Sequence, residues 1–220
     1  IGGTKMALVI SIRSLILLQL LISSVTGDAE CSNNDALTMR ATLAAGCYWG
    51  TEAFITRQWG GNGRVTSSSV GFMGGSEPNP TYSFVRAGNS GHVEVLDVEL
   101  ADVADEGNEA LFENLIRYFF QFHDPTTLNR QGDDVGTQYA SVIFVHDEVQ
   151  RRIATKVKNE LSALLSAGLI TAYTGTDVTT AIVDASTFYS AHDAHQDYLF
   201  KNPDGECNHE LRFNDWPSIS

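Results

Sequence analysis

The sequence predicts an α+β domain: one mixed sheet with packed helices, a two-layer sandwich with a ferredoxin-like core, and an irregular C-terminal tail. Three observations predict it. Apolar runs of strand length interleave with amphipathic stretches of helical period. The glycine fingerprint of a dinucleotide-binding fold is missing from every strand-to-helix junction. Hydrophobic residues make up 43% of the chain, the content of a folded protein.

The elements follow in order. Residues 40–45 form a short apolar run, a buried strand, and residues 51–59 space Phe54, Ile55 and Trp59 along one helical face. Residues 65–72 read as a strand, made unusually polar by Ser67, Ser68 and Ser69. Residues 74–80 are a loop by their Gly, Pro and Asn content. Residues 93–100 alternate as a strand. Residues 107–122 form an amphipathic helix with Leu111, Leu115, Phe119 and Phe122 on one stripe. A long polar loop, 123–137, leads to a strand at 139–145. Residues 148–167 are the strongest helix, with Val149, Ile153, Val157, Leu161 and Leu164 inward and Gly168 as its stop. A strand at 178–183 and a short helix at 191–199 complete the pattern.

The formal charge of −13 and the lack of any Lys/Arg cluster exclude nucleic acid as a partner. Met6 reads as an initiator, and the apolar run Leu15–Ile22 followed by small residues through Ala29 has the layout of a secretory signal peptide. A signal anchor is the competing reading, so a membrane association is expected only if this segment is uncleaved. The expected organisation is therefore 1–29 upstream residues and signal segment, 30–38 linker, 39–207 catalytic domain and 208–220 tail, in the secretory pathway. Three cysteines are too few for a disulfide scaffold, and a monomer is expected.

Chemistry concentrates at Gly46-Cys47-Tyr48-Trp49-Gly50, between strand and helix. A thiol at a helix start meets unpaired N–H groups that lower its pKa, and the thiolate is the nucleophile. The bland reading is an inert buried cysteine. Alternation puts Glu94 on the same face as Leu96, Val98 and Leu100, where desolvation would keep its carboxyl protonated; the alternative is a strand-end glutamate bending to water. Tyr82 and Tyr139 offer phenols, Asp134 lies in the loop before Tyr139, and Cys207 sits in a tail expected to be mobile and exposed. His192, Asp193, His195 and His209 invite a metal reading, but no Cys-x-x-Cys or His-Glu-x-x-His pattern supports one, and none is expected.

Taken together, Gly46–Gly50, Asn79–Tyr82, Gly91–Glu94, His123–Gly132, Asp134–Tyr139, His195–Leu199 and Lys201–Pro203 resemble the peptide methionine sulfoxide reductase A family. The resemblance runs from about residue 42 to 207 and implies specific roles. Cys47 would attack the sulfur of methionine-S-sulfoxide, free or in proteins. Glu94 would protonate its oxygen, with Tyr82 and Tyr139 donating hydrogen bonds and Asp134 ordering the polar side. Tyr48 and Trp49 would hold the methyl group. Cys47 would be left as a sulfenic acid, which Cys207 resolves to a disulfide. A thioredoxin-like reductant (dithiothreitol in vitro) would open it, with no bound cofactor. Tyr48 stands where the family commonly has Phe, which implies a slightly wetter methyl niche. Only Cys207 occupies the tail, where many members carry two cysteines, and Cys31 matches no family cysteine. Two other readings are a secreted binder of oxidised methionine without turnover and a cysteine hydrolase, for which His92 is the nearest candidate base.

Overall fold

The computed structural model describes residues 1–2, 38–102 and 104–218. From Ala36 onward the chain forms one compact unit. The signal segment, Cys31 and most of the expected linker lie outside the described residues. Among the described residues no helix is long and apolar enough to cross a membrane.

The elements are β1 (Thr38–Ala45), α1 (Tyr48–Trp59), β2 (Val65–Met73), α2 (Tyr82–Arg86), β3 (Val93–Ala101), α3 (Asn108–Gln121), β4 (Arg130–Gln131) and β5 (Asp134–Val135). They continue with β6 (Ser141–Val145), α4 (Glu148–Ser166), β7 (Ala181–Asp184), β8 (Tyr189–Ser190) and α5 (Tyr198–Lys201). Six strands form a mixed sheet in the order β7-β6-β1-β3-β2-β8, while β4 and β5 pair separately. Only β6 and β7 run parallel; the other pairings in the large sheet are antiparallel.

Alternation sorts the strands into two faces. Ala41, Leu43, Ala45, Val70, Phe72, Leu96, Val98 and Ile143 meet the apolar stripes of α1, α3 and α4 in the main core. Ala44, Met73, Val93, Val95, Val142 and Phe144 face the other way, where Ala140, Ala185 and Phe188 pack on them. Both faces are therefore covered, the second by loop rather than by helix. That explains why β1 and β6 read as continuous apolar runs instead of alternating ones.

Register builds the site. Leu43 pairs with Leu96 across β1 and β3, Phe72 with Glu94 across β2 and β3, and Ala45 with Ser141 across β1 and β6. The end of β1, the acid on β3 and the start of β6 thus meet at one edge of the core, beneath the start of α1.

Several expectations change at short elements. The helix expected at 191–199 is only α5, because Gln196 turns to the sheet edge, accepting from Val70 N–H at 2.8 Å and donating to its carbonyl at 2.9 Å. Asp197 then takes a left-handed conformation, φ 53, which starts a new helix instead of continuing one. The strand expected at 178–183 begins at Ala181, since Thr179 bonds Pro125 outside the sheet. The loop 123–137 contains the β4–β5 pair, and α2 and β8 were not expected. Val149 is 41% exposed; Gln150 is buried in its place, tying α4 to Arg40 carbonyl at 2.8 Å.

Candidate active site

Cys47 caps α1 directly after a turn at Gly46, whose φ of 95° suits glycine. A Cβ at Gly46 would stand 2.4 Å from the Gln131 side chain, so the turn is also sterically reserved. The turn places the thiol at the helix start, as the sequence suggests, but its protonation differs from the expectation. Burial pushes the Cys47 thiol well above its ordinary range, and Glu94 and Asp134 push the same way. The N–H groups of Trp49 and Gly50 oppose this and lose. Desolvation outweighs the helix terminus, so Cys47 rests as a thiol.

Glu94 is 2% exposed and accepts a hydrogen bond from Tyr48 N–H at 3.1 Å. Burial raises its carboxyl to about 8; Asp134 adds to the rise, while the Tyr48 N–H and Arg86 moderate it. It is therefore a neutral, proton-bearing acid at pH 7. Burial, with Glu94 nearby, also raises the Tyr82 and Tyr139 phenols, which stay protonated donors.

Cys47, Tyr48, Trp49, Tyr82, Glu94, Asp134 and Tyr139 line one cavity of about 350 Å³. All seven pocket residues expected from the sequence are thus brought together. Arg86, Glu206 and Asn208 line it as well. Asn208 donates to Asp134 at 2.8 Å and so ties the tail to the polar rim. Trp49 stacks on Tyr198 with centroids 3.7 Å apart and on His195 at 5.7 Å. The Tyr48 ring is 1% exposed, and its buried hydroxyl has no hydrogen-bond partner among the described residues.

Cys207 is exposed and, like Cys47, a free thiol. A Cβ on Gly50 would lie 2.8 Å from its Sγ and 2.1 Å from His209 Nδ1, so the tail seats on the first turn of α1 only because residue 50 has no side chain. The histidines weighed as metal ligands have other tasks. His195 joins the ring stack, and His209 is buried with Nε2 2.7 Å from Ala45 carbonyl. Among the described residues no cluster of three or more metal-ligating side chains exists. His92 cannot serve Cys47 as a base: one ring nitrogen accepts from Gly75 N–H at 3.2 Å and the other pairs with Glu77 carbonyl at 2.8 Å.

Arg86, Glu206 and Asn208 line the pocket without a sequence signal that marks them. Arg86 lies one turn from Tyr82, yet α2 has five residues, too few for a period to show. Glu206 and Asn208 reach the site from the C-terminal segment after α5, by contacts distant in sequence.

A half-buried thiol and a neutral carboxylic acid sharing an aromatic-walled cavity on a single α+β domain define a cysteine-dependent enzyme. The sequence profile of the family described as Peptide methionine sulfoxide reductase matches residues 39–216. An MsrA of Methanothermobacter thermautotrophicus is 43% identical over 169 residues, 76% of this chain and 90% of that one. A probable peptide methionine sulfoxide reductase of Schizosaccharomyces pombe is 38% identical, covering 79% and 96%. Among solved structures, reduced Mxr1 of Saccharomyces cerevisiae superposes with a TM-score of 0.68 at 33% identity, covering 80% of this chain and 93% of that chain. The chain belongs to the peptide methionine sulfoxide reductase A family, and it is an oxidoreductase acting on peptide methionine sulfoxide.

Proposed function

We propose that the chain reduces methionine-S-sulfoxide, free or in proteins, through a sulfenic acid on Cys47 and a Cys47–Cys207 disulfide. The observation that carries the reading is Glu94, a buried acid neutral at pH 7, lining the same cavity as Cys47. Oxide is a poor leaving group, and protonation by Glu94 with hydrogen bonds from Tyr82 and Tyr139 makes the S–O bond cleavable. As Cys47 attacks the sulfoxide sulfur, its own proton replaces the one Glu94 gives up. A raised thiol pKa is therefore compatible with the step, because no free thiolate has to accumulate beside Glu94. Tyr48 and Trp49 hold the methyl group and select the epimer by shape, and Asp134 orders the polar side. Methionine leaves, and Cys47 keeps the oxygen.

Cys207 then displaces it as water, and a thioredoxin-like reductant opens the disulfide; no bound cofactor enters. An exposed tail thiol seated on the helix that carries Cys47 suits both events. It also favours turnover over a binder of oxidised methionine, which has no use for a second thiol. The protein acts as a monomer in the secretory pathway, with residues 1–29 removed as a signal peptide and the membrane relevant only if they remain. The domain runs from 39 to 207, with 208–220 as its tail.

Turnover of methionine-S-sulfoxide by wild type, Cys47→Ser and Cys207→Ser tests this. Cys47→Ser should be inactive with either reductant, and Cys207→Ser active with dithiothreitol but not with thioredoxin. Equal thioredoxin-driven rates for wild type and Cys207→Ser would overturn the disulfide route.

A further inference from the structure

The tail delivers a second group to Cys207 besides the cavity chemistry. His209 is 7% exposed, its ring packed against Phe54 and Phe122 with centroids 6.1 and 5.8 Å away. Its Nε2 lies 2.7 Å from Ala45 carbonyl, and a carbonyl only accepts, so this nitrogen carries the proton. Burial, with Arg212 nearby, pushes the imidazole down to about 4, so it is neutral across the physiological range. A neutral imidazole protonated at Nε2 has its lone pair at Nδ1, and Nδ1 lies 3.6 Å from Cys207 Sγ. The His209 backbone N–H donates to the same sulfur at 3.4 Å, where it stabilises negative charge developing there. Gly50, which admits both groups, is also a residue whose N–H faces Cys47.

We propose that His209 is the general base for disulfide formation, accepting the Cys207 proton as that sulfur attacks the sulfenic acid of Cys47. The inference rests on the sulfenic-acid reading above. The proton passes from Sγ to Nδ1, the sulfur lone pair forms the S–S bond and the S–O bond of Cys47 breaks. The departing hydroxide takes the proton back from Nδ1 and leaves as water. Cys207 is oxidised and Cys47 correspondingly reduced, with no outside reagent. The other titratable groups around the ring are Arg212 and His123, the latter itself neutral because burial pushes it to about 3. Around the thiol they are Arg57 and Asp134.

The test generates the Cys47 sulfenic acid with one equivalent of hydrogen peroxide and follows disulfide formation. His209→Gln keeps a donor for Ala45 but offers no base at Nδ1. It should slow disulfide formation about 10- to 100-fold relative to methionine release in a sulfoxide single turnover. The wild-type rate should be flat between about pH 5.5 and 8, whereas His209→Gln should gain about tenfold per pH unit, because its thiol must ionise unaided. Equal rates and slopes in the two proteins would overturn the proposal. So would a tenfold-per-unit rise in the wild type, which decides the matter even if the variant does not fold. Failure of the wild type to release methionine would sink the sulfoxide reading alone, since the peroxide arm still reads His209.

Discussion

Replacing Glu94 by Gln preserves size and an oxygen able to accept from Tyr48 N–H, while removing the only proton this side chain can lose. The folded carboxyl stands at about 8 against an ordinary value of 4.5, and 2% exposure leaves almost no water to screen it. A folded pKa raised above the unfolded one means stability that is fully present below pH 4.5 and lost as pH rises through 8. Over that window the wild type should lose up to roughly 5 kcal/mol relative to Glu94→Gln, a large part of a domain's total stability. Glu52, another buried carboxyl, which burial pushes to about 7, drifts in the same direction but is present in both proteins and cancels. Urea unfolding of the two proteins at pH intervals from 5 to 9 (about half a unit apart) measures the difference. A stability gap that stays constant across this range would refute the reasoning. The same titration should appear in catalysis: single-turnover methionine release should fall about tenfold for each pH unit above 8, as the acid form disappears.

Gly50→Ala should loosen the tail, because its Cβ would collide with His209 Nδ1 and Cys207 Sγ. The gain in helix propensity, about 1 kcal/mol, does not offset a collision of about 1–3 kcal/mol, so thermal unfolding should move down and disulfide formation slow. Tyr48→Phe removes a buried hydroxyl that has no partner among the described residues, and should raise stability by about 1 kcal/mol, seen as a Tm rise of a few degrees. A fall in Tm on that substitution would show that the hydroxyl is satisfied in solution.

The edge of the fold that carries the cavity was legible because its signals are local. Glycines flank Cys47 at a strand-to-helix junction, and strand parity alone puts Glu94 on the face of Leu96 and Val98. The same locality misled the reading of charge. The helix start argues for a thiolate, whereas the burial that defeats it, with Glu94 and Asp134 nearby, is visible only in three dimensions. Short elements escaped for a related reason. The five residues of α2 and the two-residue strands β4, β5 and β8 span too few repeats for a helical or strand period to show. The surroundings of His209 are not legible in the sequence, because its packing against Gly50 joins residues far apart in the chain, and only that contact shows what its ring faces.

The most direct measurement of the central claim is one turnover with the reduced protein, methionine-S-sulfoxide and no external reductant, scored by methionine released and by mapping of modified cysteines. The account expects about one methionine per molecule of wild type, with Cys47 and Cys207 linked afterwards, and none from Cys47→Ser. Methionine released by Cys47→Ser, or by the wild type with both thiols still free, would contradict it.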